Sequence, residues 1–174
     1  PAELSAHVLT SLVERTGIDP VVVDDVVWGC VMQVNEQAMN VGRTAVLSAG
    51  WPETVTATTV DRACGSSQQA VHFAAAGLIS GQYDVAVAGG VESMTRVPMF
   101  SSFAPGEPFG PSFNARYPGD APNQGIGAEM MVERWGFSRT ELDQFALDSH
   151  AKAAAAQDSG AFDSQIVPVK APDA

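Results

Sequence analysis

Thr54-Val55-Thr56-Ala57-Thr58-Thr59-Val60 runs without a break into Asp61-Arg62-Ala63-Cys64-Gly65-Ser66-Ser67-Gln68-Gln69-Ala70. The first seven residues are almost all β-branched, a composition that fits a pleated strand. The second stretch opens a helix over Ser67 to Ser80, in which Ala70, Val71, Ala74, Ala75, Leu78 and Ile79 recur at helical spacing before a stop at Gly81. Val85-Ala86-Val87-Ala88-Gly89-Gly90 follows, apolar on both faces as a central strand is. Strand, helix and strand within ~35 residues form a right-handed βαβ unit, so the fold is predicted to be α/β. Cys64 then stands at the carboxyl end of a strand, where open sheets place their ligands. It also stands at a helix start, where unpaired N–H groups and the positive end of the helix dipole favour a thiolate.

Upstream, Leu4, Val8, Leu9, Leu12 and Val13 share one helical face, and Gly17 is a C-cap candidate. Val26 to Val31 reads as a short buried strand, and Asn40 as the cap of a helix through Leu47, closed by Gly50. Downstream, the composition shifts near Met94. From Val97 to Gln124 there are six prolines with several glycines and aromatics and no steady period. So many Phe and Tyr suit an ordered excursion better than a linker. A helix is predicted from Gly127 to Trp135, and Ser138-Arg139-Thr140-Glu141 is a capping box opening a long helix to about Ser159. Phe162 to Val169 reads as a turn and a strand-like tail. The expected division is a core over residues 1–93 and an appended region over 94–174.

The 174 residues are 45% hydrophobic and 17% charged, enough apolar content for a substantial core. A net charge of −11 argues against nucleic acid, which needs clustered Lys and Arg. Cys30 and Cys64 have no metal-type spacing, and a reducing, cytoplasmic location is the expectation. No apolar run approaches the ~18 residues of a membrane span. The chain begins Pro1-Ala2-Glu3, already at the lip of a helix, and residues upstream of it are expected.

Of the two cysteines, Cys30 is assigned to the core. Cys64 is the candidate nucleophile, because Gly65 beside it lets a ligand approach the backbone and its own N–H can donate to an oxyanion in acyl transfer. None of His7, His72 and His150 is a convincing base for it. His72 is eight residues along the same helix, displaced by ~12 Å at ~1.5 Å per residue, and the other two sit on faces expected to be solvated. Gly125-Ile126-Gly127 lacks a preceding strand and is a poor dinucleotide motif, and there is no P-loop or GxSxG. Asp24-Asp25 and Asp143/Asp148 fit turns and a solvated helix face better than metal ligands, so no metal is expected.

Val60 to Ala70 resembles the nucleophile motif of the thiolases, and Gly89-Gly90-Val91-Glu92-Ser93-Met94 resembles that family's second signature. Gly29-Cys30-Val31, Glu36-Gln37, Asn40 and Arg43 resemble the degradative 3-ketoacyl-CoA thiolases more than the acetoacetyl-forming kind. Ser138-Arg139 through Ser149 and Ile166-Val167-Pro168 fit as well. The resemblance spans essentially the whole chain and corresponds to the first half of a thiolase, without that family's first strand. It implies a thiolase-like fold whose first α/β half has a mixed, mostly parallel sheet flanked by helices. Residues from 94 onward would begin the loop domain over the active site.

The implied reaction belongs to fatty acid beta-oxidation: Cys64 attacks a 3-ketoacyl-CoA, releases acetyl-CoA and passes the shortened acyl group to coenzyme A as co-substrate. No bound cofactor is implied. The family's activating histidine and second cysteine belong to a second half, so these 174 residues alone are expected to be inactive. Gly65, Gly89, Gly90 and Glu92 would be structural support. Asn123 and Gln124 would be substrate-binding, with Gln124 where many members carry a Met lining the acyl pocket, which suits a bulky or ring-bearing acyl group. A homodimer or homotetramer is implied, with a multifunctional beta-oxidation subunit as a further partner. Two alternatives stand beside this. One is a ketoacyl-synthase-type condensing enzyme, whose cysteine normally lies in an Ala-Cys-Ser-Ser-like context. The other is a non-catalytic acyl-CoA-binding fragment.

Overall fold

The computed structural model describes residues 1–103, 105–119 and 123–170. Three strands, β1 (Asp25–Gly29), β2 (Thr56–Val60) and β3 (Ala86–Gly90), form one sheet in the order β2-β1-β3. Val27 of β1 aligns with Thr58 of β2 and Ala88 of β3. Every pairing among the described residues is parallel, in line with the mostly parallel sheet flanked by helices that the resemblance implied. The α/β expectation holds, with each strand trimmed or shifted by one or two residues.

The predicted βαβ unit takes a different form. β2 and β3 are not neighbours; β1 pairs with both, so the helix between them crosses β1. Burial explains the order. Val26, Val27 and Trp28 of β1 are at most 3% exposed, whereas β2 presents Thr56 and Thr58 to solvent. The most apolar strand takes the centre, and the threonine-rich one takes an edge.

Alternation along β1 separates two layers. Val26 and Trp28 pack with Leu9 of α1 (Ala2–Thr16) and with Val41, Ala45 and Val46 of α2 (Val41–Ser48). Val27 faces the other way, onto Ala70 and Ala74 of α3 (Ser66–Ser80). The buried indole of Trp28 donates to Ser5 Oγ at 3.2 Å, so its one polar atom is satisfied. Gly17 ends α1 at φ 68°, and Gly81 ends α3 at φ 75°. Asn40 caps α2, its side chain accepting the Arg43 N–H at 3.2 Å. The outer face of α3 exposes Val71, Phe73, Leu78 and Ile79.

Packing divides the chain into Pro1–Gly106 with the tail from Val167, and Glu107–Ile166. The expected boundary at 93 therefore falls inside the first unit. Ser93 donates its N–H to Gln37 Oε1, Arg96 pairs with Glu36, and Val97 is fully buried, which ties this stretch to the sheet. In the second unit, α4 (Pro111–Arg116), α5 (Gln124–Trp135) and α6 (Arg139–Asp158) follow one another. Phe113 of α4 stacks on Phe109 at 4.6 Å. The capping box is present: Ser138 Oγ accepts the Glu141 N–H and Glu141 Oε2 accepts the Ser138 N–H.

The strand-like tail expected over Phe162 to Val169 is instead a series of turns and irregular chain. Its N–H groups are used locally, Gln165 and Ile166 both donating to the Phe162 carbonyl. Among the described residues no helix is long and apolar enough to cross a membrane.

Candidate active site

The carboxyl ends of all three strands converge on the start of α3. Close approach there depends on two glycines. A Cβ on Gly29 would lie 2.5 Å from the Ser67 nitrogen and 2.6 Å from the Ser66 carbonyl carbon. A Cβ on Gly90 would lie 2.6 Å from the Gly29 oxygen and overlap Ser67 Oγ. Gly89 makes room one layer down, where a Cβ would lie 2.7 Å from Cη2 of Trp28. The first turn of α3 thus sits directly on the ends of β1 and β3.

Cys64 lies two residues ahead of this helix, with Gly65 as the N-cap, and its side chain is exposed. The connection from β2 is a tight elbow. Ala63 has φ 44°, in the left-handed region that residues with a Cβ seldom adopt. Asp61 Oδ1 accepts the Ala63 N–H at 2.8 Å. Ser66 Oγ donates to the Ala63 carbonyl at 2.6 Å and accepts the Arg62 N–H at 2.9 Å. Gly65 itself has φ −93°, and a Cβ there would meet only the Arg62 oxygen at 3.4 Å. The unusual backbone falls at Ala63, one residue before the cysteine and not after it.

Beside the elbow, the loops after β1 and β3 are stitched together. Glu92 accepts the Val31 N–H at 2.8 Å and the Gln37 Nε2 at 2.7 Å. Gln37 is completely buried; its Nε2 also donates to the Met32 carbonyl and its Oε1 accepts from Ser93 N–H. Glu36 pairs with Arg96 at the surface, and that hydrogen-bonded guanidinium holds its carboxyl below the usual range. Cys30 is buried, and its N–H donates to the Val60 carbonyl at the end of β2. Burial, and then the charges of Glu92 and Asp61, push its thiol up to about 12. That agrees with its assignment to the core.

The three histidines lie on three separate helices. His7 Nε2 is 2.9 Å from the Pro168 carbonyl, His72 is exposed on α3, and His150 belongs to α6 in the second unit. Asn123 caps α5, its Oδ1 accepting from the Gly125 and Ile126 N–H groups, and Gln124 is the first residue of that helix. Met130, Met131 and Trp135 line an open apolar depression along α5. Among the described residues no group of three or more His, Cys, Asp or Glu could hold a metal ion. Asp24, Asp25 and Tyr83 lie at the amino ends of the strands, where Asp24 accepts from the Asp84 and Val85 N–H groups.

The profile of the thiolase N-terminal domain family matches residues 1–174. The chain belongs to the thiolase family. It is 43% identical over 178 residues to a steroid 3-ketoacyl-CoA thiolase of Mycobacterium tuberculosis, covering 98% of this chain and 44% of that protein. It is 43% identical over 173 residues to a 3-ketoacyl-CoA thiolase of Klebsiella pneumoniae, covering 99% of this chain and 44% of that one. The structure resembles the crystal structure of the Bacillus anthracis acetyl-CoA acetyltransferase at a TM-score of 0.83 and 37% identity, over 100% of this chain and 46% of that chain. Thiolases are acyltransferases, and the chain spans less than half the length of these relatives.

The elbow clamp and the Gln37–Glu92 network were not singled out in the sequence. Asp61 two residues before Ala63 is a local signal for a side chain that accepts a backbone N–H in a turn. A glutamine buried between two loops leaves no comparable mark.

Proposed function

We propose that the full-length protein is a degradative 3-ketoacyl-CoA thiolase and that Cys64 carries its acyl group. The Cys64 sulfur attacks the keto carbon, the bond between that carbon and the α-carbon breaks, and acetyl-CoA leaves once its α-carbon takes a proton. The acyl group stays on sulfur as a thioester. The thiol of a second coenzyme A attacks it, the shortened acyl-CoA leaves, and Cys64 is regenerated. The observation that carries this reading is the exposed Cys64 on a rigid elbow at the sheet's carboxyl edge, in a chain of this family. The backbone N–H of Cys64 is the candidate donor to the oxyanion of the tetrahedral intermediate.

Gly65 gives the substrate access to that backbone. Gly90 supports the site by seating α3, Gly89 by making room for the Trp28 ring, and Glu92 by pinning the flanking loops. The second unit belongs to the loop domain, and Asn123 with Gln124 contributes to the acyl pocket. The activating histidine and second cysteine implied by the family lie outside residues 1–174, so this part alone does not turn over. Coenzyme A is co-substrate, no bound cofactor is required, and the assembly is a homodimer or homotetramer in the cytoplasm.

The name of the mycobacterial relative favours a ring-bearing acyl substrate, as does a glutamine at position 124. Full-length protein with 3-ketoacyl-CoA and coenzyme A tests the proposal. Acetyl-CoA and a shortened acyl-CoA should form in equal amounts; no cleavage here, with a 3-keto product formed only when an acyl thioester and a malonyl thioester are supplied instead, would favour the condensing-enzyme reading.

A further inference from the structure

We propose that Asp61 and Ser66 are positioning residues that hold Ala63 in its left-handed conformation and thereby aim Cys64. A backbone conformation is set by the orientations of the two peptide planes on either side of a residue. Both planes flanking Ala63 are held by a side chain. The preceding one is held through its N–H, which Asp61 Oδ1 accepts at 2.8 Å. The following one is held through its carbonyl, which accepts the Ser66 hydroxyl at 2.6 Å and the Ser66 N–H at 3.1 Å.

That second plane is also the one that carries the Cys64 N–H. In a trans peptide the carbonyl and the N–H point in opposite directions. Fixing the Ala63 carbonyl therefore fixes the direction of the Cys64 N–H as well as the root of its side chain. Ser66 is 4% exposed, which keeps water from competing for its hydroxyl, and it is anchored in the first turn of α3. A third side-chain bond, from the Arg62 N–H to Ser66 Oγ at 2.9 Å, closes the loop on itself. Without these bonds the Cβ of Ala63 would drive the residue out of the left-handed region.

The catalytic consequence rests on the thiolase reading; the geometric one does not. The test uses the full-length protein and the variants Ser66→Ala, Asp61→Ala, Asp61→Asn and Ser66→Ala with Ala63→Gly. Misplacing a reacting group by about 1 Å costs about a hundredfold in rate, so Ser66→Ala and Asp61→Ala should lose about that in kcat. KM should stay within about twofold, the mark of an interaction made in the transition state. Asp61→Asn keeps the accepting oxygen and should hold kcat within about threefold of the parent. Ala63→Gly should return about tenfold of the Ser66→Ala loss, because glycine needs no clamp.

Parental kcat in both alanine variants, or Asp61→Asn as impaired as Asp61→Ala, would overturn the proposal. If circular dichroism shows that Ser66→Ala does not fold, the Asp61 pair decides, since Asp61 is exposed. If the parent shows no thiolysis, the functional reading fails, and the clamp is judged separately by the iodoacetamide rate at Cys64. That rate should change in Asp61→Ala and return in Asp61→Asn; equal rates in all three would overturn the clamp.

Discussion

Gln37 Nε2 donates to Glu92 Oε1 at 2.7 Å, joining the loop after β1 to the loop after β3. Glu92 also accepts the Val31 N–H, so its removal costs the buried Gln37 amide one of its two acceptors, the Met32 carbonyl remaining, and leaves the Val31 N–H to solvent. Each unsatisfied buried group costs about 1–3 kcal/mol. Glu92→Ala should therefore lower the stability of the full-length protein by about 1–3 kcal/mol, carried by the lost Gln37 contact. Urea unfolding followed by tryptophan fluorescence measures it, and an unchanged midpoint would show the network to be incidental.

The two glycines that seat α3 should differ sharply from glycines in open turns. Gly90→Ala places a Cβ 2.6 Å from the Gly29 oxygen and into Ser67 Oγ, so the helix start has to move. Turnover should fall by about a hundredfold, as for a displaced reacting group. Gly50→Ala, at φ 73° with nothing within 4 Å of the added carbon, carries backbone strain alone. It should cost about 1–2 kcal/mol of stability and leave kcat intact.

Cys30 contributes a defined alkaline limb to the stability profile. Its thiol is pushed from 9.0 to about 12 in the folded protein, chiefly by burial. Between those values the unfolded chain has released a proton that the folded chain retains, so stability falls as pH rises. The contribution is complete below pH 9 and lost on approaching about 12. Cys30→Ala removes this titration, and its stability should fall less steeply with pH across that window than the parent's.

Much of the fold was legible because local composition carried it. The β-branched run before Cys64 and the alanine-rich helix after it appear as β2 and α3 within two residues of expectation. Strand order was not legible, because pairing partners are chosen by whole-sheet burial and consecutive strands pair only by default. β1 takes the centre on the strength of Val26, Val27 and Trp28, which no local pattern around Cys64 reports. At the candidate site, the position of Cys64 was visible as a strand-to-helix join. The left-handed backbone at Ala63 was not legible, because side-chain bonds from Asp61 and Ser66 do there what a glycine would otherwise do.

Substrate shape gives a separate expectation. If Gln124 faces the acyl group, Gln124→Met should raise kcat/KM for straight-chain 3-ketoacyl-CoA relative to ring-bearing substrates by about tenfold, within the 10–200-fold that pocket contacts supply. Competition between the two substrate classes measures the ratio directly. An unchanged ratio would remove Gln124 from the pocket.

The central claim is that Cys64 is the acyl carrier. Full-length protein mixed with 3-ketoacyl-CoA in the absence of coenzyme A, quenched in acid and digested, should yield the peptide containing Cys64 increased by the mass of the shortened acyl group. The Cys64→Ala variant should show neither the adduct nor turnover. An acyl group on any other residue, or thiolysis retained in Cys64→Ala, would contradict the account.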